Sequence, residues 1–216
     1  MSRRFFAVVY RMLWLLAAAA VKVYCRFEVD GREHIPTTGA YVLAPVHRSN
    51  VDFLLAGLTG RRRSWFMAKR SIFLGGVIDW FLTGLGAFPV NREGVDRTAL
   101  RSCEEHLAAG HPVVMFPEGR RQSGVRVTEC FEGPAFVASR RRVPIVPVGI
   151  GGSDRVMPIG SKVIRPRKVR IVVGEPIHPD VEPTGRVPRA VVTELTAELR
   201  VRLQELYDEA RRLAAG

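Results

Sequence analysis

His47 and Asp52 bracket the stretch His47-Arg48-Ser49-Asn50-Val51-Asp52. Histidine changes charge near neutrality, so it can take a proton and return it. A carboxylate on one ring nitrogen fixes the tautomer and stabilises the imidazolium that forms. Such a pair is a general base. It needs no serine or cysteine nucleophile if the substrate brings its own hydroxyl and the donor is already activated, as a thioester is. The same spacing has a plainer reading. Ser49-x-x-Asp52 fits a capping box, with Ser49 as N-cap and Asp52 at N3 reaching back to hold a helix start.

Three further stretches carry groups suited to an anionic ligand or to ordinary surface. Phe116-Pro117-Glu118-Gly119-Arg120-Arg121 leaves an apolar run at a proline and a glycine. Pro117 ends a strand there, and Gly119 permits tight geometry or close approach of a ligand. An acid beside two arginines suits a phosphate-bearing substrate, or makes a charged turn. Gly86-Ala87-Phe88-Pro89-Val90-Asn91-Arg92 sets Arg92 just past another apolar run, as a binding cation or a surface residue. Val143-Pro144-Ile145-Val146-Pro147-Val148 has two prolines in an apolar segment, which predicts an irregular edge strand, a strand lining a site, or simple packing.

These residues need elements to hold them. Tyr41 to Ala44 reads as a buried strand directly before His47, and Val51 to Leu58 as a helix directly after it. Further short strands are expected at 27–29, 64–68, 87–90, 113–116, 143–150 and 169–173. Leu74 to Leu85 reads as an apolar helix interrupted by glycines. Asp96 can cap a helix with Leu100, Cys103 and Leu107 in register, stopped by Gly110 and Pro112. Val187 to Leu213 is a long amphipathic helix. The alternation predicts an α/β fold: a single domain with a mostly parallel mixed sheet flanked by helices, preceded by an N-terminal membrane-associated helix. The expected division is 1–26 for that helix and 27–216 for the domain. In α/β folds sites collect outside the carboxyl ends of strands, where His47, Arg92 and Glu118 are all expected.

In this order the four stretches resemble the glycerolipid acyltransferase family, specifically the 1-acylglycerol-3-phosphate acyltransferases. That family's signature runs N-H-x-S-x-x-D, a block with F-x-x-R, then F-P-E-G-T-R, then V-P-I-x-P-V. Here the blocks are Val46 to Asp52, Phe88 to Arg92 with one extra residue, Phe116 to Arg121, and Val143 to Val148. The likeness runs over residues 27–178 and includes Ala68-Lys69 and Gly174-Glu175-Pro176-Ile177. It implies that His47 is the catalytic base and Asp52 its partner. It further implies that Arg92, Glu118, Gly119, Arg121, Lys69 and Ser49 surround a phosphate-bearing acceptor. The implied reaction moves a fatty acyl group from acyl-CoA or acyl carrier protein to the 2-hydroxyl of lysophosphatidic acid, giving phosphatidic acid, with no metal and no bound cofactor. Backbone N–H groups at the helix start after His47 are the expected oxyanion donors. The chain departs from the pattern at Val46 for Asn, at Arg120 for Thr, and at Phe131-Glu132-Gly133, which brings an acid where bases are common. Glycerol 3-phosphate or another lysolipid is therefore the alternative acceptor.

Composition narrows the partners. The net charge of +12 comes from 29 arginines and 4 lysines against 21 acidic residues. Such a surface seeks nucleic acid, anionic lipid or phosphorylated metabolites. No zinc-finger spacing, RNA-binding signature or aromatic-interleaved basic stripe occurs, so nucleic acid is not the expected partner. The absence of G-x-S-x-G disfavours a serine hydrolase. Cys25, Cys103 and Cys130 are an odd, scattered set, which fits a reducing compartment and gives no disulfide or zinc framework. The apolar run Met12 to Val21 has 10 residues, whereas a spanning helix needs ~20. Bracketed by Arg11 and Lys22 and with Tyr10, Trp14 and Tyr24 around it, it predicts a helix lying in or dipping into a membrane interface. A full span and a secretory signal are its rivals, the latter without a small-residue cleavage site. Arg3, Arg4, Arg26 and Arg32 favour the cytoplasmic side of the cell membrane. Arg61-Arg62-Arg63 reads either as a contact with anionic lipid or as a solvated loop.

Overall fold

The apolar runs between turn residues become seven strands: β1 (Glu28–Asp30), β2 (Val42–Pro45), β3 (Trp65–Lys69), β4 (Ala87–Val90), β5 (Val113–Val114), β6 (Ile145–Gly151) and β7 (Arg170–Val173). They form one sheet in the order β1-β7-β6-β2-β5-β3-β4. This is a computed structural model, and it describes residues 12, 19–84, 86–90, 97–161, 163–182 and 186–216. Strands β2 to β6 are mutually parallel, while β7 runs antiparallel to β6 and β1 runs parallel to β7. The carboxyl ends of β2 to β6 therefore share one edge. The start of β7 reaches that edge too, since Gly151 pairs with Arg170.

The helices are α1 (Asp52–Thr59), α2 (Gly76–Gly84), α3 (Arg97–Ala108), α4 (Gly133–Arg141), α5 (Ser153–Val156) and α6 (Arg189–Ala215). Residues 19–24 are also helical. Met12 is helical too and Cys25-Arg26 form a turn, while residues 1–11 and 13–18 of the expected N-terminal membrane helix lie outside the described residues. Among the described residues no helix is long and apolar enough to cross a membrane.

Helix α6 buries Val192, Leu195, Leu199, Leu203, Tyr207, Ala210 and Ala214, a stripe with steps of three and four, against β6. Glycine makes this approach possible. A Cβ at Gly149 or Gly151 would stand 2.2 Å from the carbonyl oxygen of Leu206 or Ala210. In α3 the buried stripe is Ala99, Cys103 and Leu107, with Leu100 only partly covered; the expected cap Asp96 lies outside the described residues.

Two expectations about elements change. The prolines near residue 145 do not mark an edge: β6 lies between β7 and β2, and all seven of its residues are buried. Its even-numbered carbonyls face β2, where Pro144 and Val148 accept from Val42 and Val46. The missing N–H of Pro147 thus falls on the other side, where its carbonyl accepts from Gly174 at 3.0 Å. No element was expected over 133–141, where α4 lies. Pro134 sits in the first helical turn, where no N–H is needed, and Ala135, Val137 and Ala138 bury one face.

Candidate active site

Strand β2 ends at Pro45 and releases a loop from Val46 to Val51 at the shared carboxyl edge. The loop turns at once into α1, so His47 and Asp52 face each other across it. His47 Nδ1 lies 3.0 Å from Asp52 Oδ2. The same oxygen accepts the backbone N–H groups of Arg48 (2.5 Å) and Ser49 (2.6 Å). One carboxylate oxygen thus orients the imidazole and ties down the loop. A proton on Nδ1 satisfies the carboxylate and leaves Nε2 with its lone pair. Asp52 is fully buried while the His47 side chain is 13 % exposed, so only the histidine opens to a substrate. The ring stacks on Phe116, with centroids 4.1 Å apart.

Ser49 is not the N-cap. That position is Val51, and the Ser49 hydroxyl donates to the carbonyl of Met157 at 2.7 Å. Ser49 is fully buried, so it joins the His47 loop to the segment after α5. Four of the N–H groups around the helix start are already engaged. The N–H groups of Arg48 and Ser49 go to Asp52, that of Val51 to Ser49 Oγ and that of Asp52 to the Ser49 carbonyl.

The second block follows β5, the neighbour of β2, at the same edge. Glu118 is 1 % exposed, and its oxygens are occupied inside the protein. Oε2 accepts the His47 backbone N–H (3.1 Å) and Arg48 Nη1 (2.5 Å), and Oε1 accepts from Thr128. Glu118 therefore holds the loop that carries His47, and its carboxylate faces inward. Gly119 has φ of +65°, and a Cβ there would stand 2.7 Å from the Phe131 ring. Arg120 is exposed and Arg121 partly exposed, and the next residue, Gln122, donates its N–H to the His47 carbonyl at 2.9 Å. Lys69 ends β3 as an exposed side chain, two strands from β2 across β5. Arg92 lies outside the described residues.

Sequence reasoning gave Arg48 no role, yet it is the buried centre of the network. Its guanidinium pairs with Glu118, donates to the Arg126 carbonyl (3.0 Å) and stacks over the Tyr207 ring at 4.6 Å. Burial, opposed by Arg48, pushes the Tyr207 phenol up. A basic residue next to the histidine and an acid alone in the second block were the available signal. The positions where the chain leaves the family pattern also sort themselves. Val46 is fully buried core. Glu132 is the N-cap residue of α4 and accepts from Thr193 at 3.0 Å, so it joins α4 to α6. The basic run 61–63 precedes β3 and thus sits at the opposite edge from His47. There Arg62 donates to the carbonyls of Gly39 and Gly110, and Arg63 lies over Trp65.

A parallel-rich α/β sheet with a His–Asp pair at its carboxyl edge frames the site, and the chain belongs to the Acyltransferase family, whose model matches residues 26–151. It is 29% identical over 182 residues to a chloroplastic 1-acyl-sn-glycerol-3-phosphate acyltransferase of Arabidopsis thaliana, covering 82% of this chain and 50% of the relative. Against a 1-acyl-sn-glycerol-3-phosphate acyltransferase of Bacillus subtilis it is 26% identical over 194 residues, covering 89% and 91% of the two chains. The chain thus spans about half the length of the plant relative and nearly all of the bacterial one. In fold it matches the crystal structure of the 1-acyl-sn-glycerophosphate acyltransferase PlsC from Thermotoga maritima. The TM-score is 0.72 at 24% identity, over 94% of this chain and 80% of that one.

Proposed function

We propose that this protein transfers a fatty acyl group from acyl-CoA or acyl carrier protein to the 2-hydroxyl of 1-acyl-sn-glycerol 3-phosphate, forming phosphatidic acid. The observation that carries the reading is the 3.0 Å contact between His47 and Asp52, inside the stretch that matches the acyltransferase family. His47 Nε2 takes the hydroxyl proton as the acceptor oxygen attacks the thioester carbonyl. The C–S bond then breaks, an ester remains, and the thiolate leaves with the proton from His47. Asp52 stabilises the imidazolium between these steps. Holding both substrates in one groove supplies much of the rate.

Arg92, Arg121 and Lys69 are the cations for the acceptor phosphate, and Gly119 lets backbone approach it. Glu118 and Ser49 serve by fixing the loop that carries His47. The enzyme works on the cytoplasmic face of the cell membrane, with residues 1–26 as an interfacial helix ahead of the catalytic domain 27–216.

The test is thiol release from acyl-CoA by the detergent-solubilised protein with lysophosphatidic acid, glycerol 3-phosphate and uncharged lysolipids as acceptors. Preference for lysophosphatidic acid and loss of turnover in His47→Ala are expected. No turnover with any acceptor, or full activity in His47→Ala, refutes the reading. A preference for glycerol 3-phosphate would retain the chemistry and change the acceptor.

A further inference from the structure

Phe131 and Glu132 are neighbours where the chain leaves the family pattern, and the structure sends them different ways. Glu132 turns to α6, where Thr193 donates to its carboxylate at 3.0 Å. The Phe131 side stays outside, 66% exposed. Its ring is nevertheless fixed in place. The Phe131 N–H donates to the Pro117 carbonyl at 2.8 Å. The ring itself rests on Gly119, where a Cβ would stand 2.7 Å from Cε2 and 2.8 Å from Cδ2.

The turn under that ring reaches the base. The Gly119 N–H closes it onto the Phe116 carbonyl at 3.0 Å, and Phe116 stacks on the imidazole of His47 at 4.1 Å. The turn 116–119 therefore carries an aromatic ring at each end, Phe116 against His47 and Phe131 over the glycine. The chain continues through Arg120, exposed, and Arg121, partly exposed, to Gln122, whose N–H donates to the His47 carbonyl at 2.9 Å. Glu118, in the same turn, points inward to Arg48, so no carboxylate of the turn opposes an anion there. Two arginines and an open apolar ring thus flank one glycine, within a turn of the base. We propose that Phe131 is a specificity-determining residue for the acyl acceptor: its ring receives the acyl chain that the acceptor already carries, while the arginines take the phosphate. Lysophosphatidic acid presents both groups on one glycerol. Glycerol 3-phosphate presents only the phosphate and gains nothing from the ring. The contact is worth about tenfold in affinity, the effect of roughly two methylene groups leaving water. The proposal rests on the acyl-transfer reading for the reaction and adds the residue that favours an acylated acceptor.

The test follows thiol release from acyl-CoA with soluble acceptors that differ in their chain: glycerol 3-phosphate and its butanoyl, hexanoyl and octanoyl monoesters. In the parent protein kcat/KM climbs with chain length. Phe131→Ser flattens the series, so that the octanoyl-to-butanoyl ratio falls about tenfold, through KM and not kcat. Phe131→Leu keeps an apolar surface and most of the climb. Calorimetric titration of the same acceptors without donor reads the same loss as binding. A Phe131→Ser series that stays parallel to the parent's overturns the proposal. So does a loss confined to kcat, a Phe131→Leu variant as flat as the serine variant, or a KM that rises for acyl-CoA and not for the acceptor. If the parent releases no thiol with any acceptor, the acyl-transfer reading falls and the titration decides alone. Weaker binding of the octanoyl ester by Phe131→Ser then supports the aromatic contact, and equal binding overturns it.

Discussion

Replacing Asp52 separates its two duties, because asparagine removes the charge and alanine removes the oxygen. Asp52 Oδ2 accepts from His47 Nδ1 and from the N–H groups of Arg48 and Ser49, all in a buried setting. Alanine leaves both backbone donors without a partner, at about 1–3 kcal/mol each, so Asp52→Ala should lose about 2–6 kcal/mol of stability. Asparagine keeps an acceptor oxygen in place and should lose about 1–2 kcal/mol, the difference between charged and neutral acceptors. The effect on turnover runs the other way in proportion. Without a carboxylate the imidazolium is unsupported, and general-base assistance worth about 10²–10⁴-fold is at stake. The assay is urea unfolding of both variants beside kcat for thiol release from acyl-CoA. An Asp52→Asn enzyme within about tenfold of the parent kcat would refute the catalytic role and leave Asp52 as a loop cap. An alanine variant as stable as the asparagine variant would refute the cap.

Four other outcomes follow from the geometry. Arg48→Met strands the Glu118 charge in the core and should cost about 3–5 kcal/mol in a urea melt, with much of it recovered by adding Glu118→Gln. Gly119→Ala puts a Cβ at positive φ against the Phe131 ring, which should cost about 1–2 kcal/mol and raise KM for the phosphorylated acceptor more than it lowers kcat. Gly151→Ala meets the backbone of α6 at 2.2 Å and should cost about 3 kcal/mol in thermal unfolding, from a helix pushed off its strand. Burial first, with Glu104 adding to it, pushes the Cys103 thiol from 9.0 up to about 12, and burial with Glu118 pushes Cys130 up to about 11. Both folded values are raised, so the unfolded chain loses these protons first. That stability is whole below pH 9.0 and drains away as pH climbs towards those raised values. Iodoacetamide at pH 8 should therefore modify neither thiol appreciably until the protein is unfolded.

Most of the fold was legible because its strands are short, apolar and bounded by glycine or proline. Ala87 to Val90 appears with the expected limits, and α1 and α6 start within two residues of theirs. What failed to show has physical reasons. Helix α4 hides behind Gly133-Pro134, a pair that is tolerated only because a first helical turn needs no N–H. The prolines of Val143 to Val148 left an edge strand, a site-lining strand and simple packing open, because only the pairing tells which side each missing donor faces. At the site, spacing brought His47 and Asp52 together in the reading, but it could not show where a long side chain turns. Arg48 and Glu118 look like surface charges in the sequence, and the structure folds them onto each other.

That pair ties the two blocks together in space. A buried ion pair seldom stabilises a fold beyond what apolar residues would do, so its use here lies in where it points. Glu118 Oε2 receives both Arg48 and the backbone N–H of His47, which fixes the histidine's main chain from the β5 side. Asp52 fixes the ring from the α1 side. The pairing of Leu43 with Val114 sets the register between the strands that feed these two loops. A slip of one residue would break the Glu118 contact and turn Phe116 away from the imidazole it stacks on. Gly119 and Arg121 follow Glu118 directly, so the same register sets their distance from His47. The capping reading and the proposed catalytic reading of Asp52 are then compatible: one oxygen both holds the loop and faces the imidazole of His47.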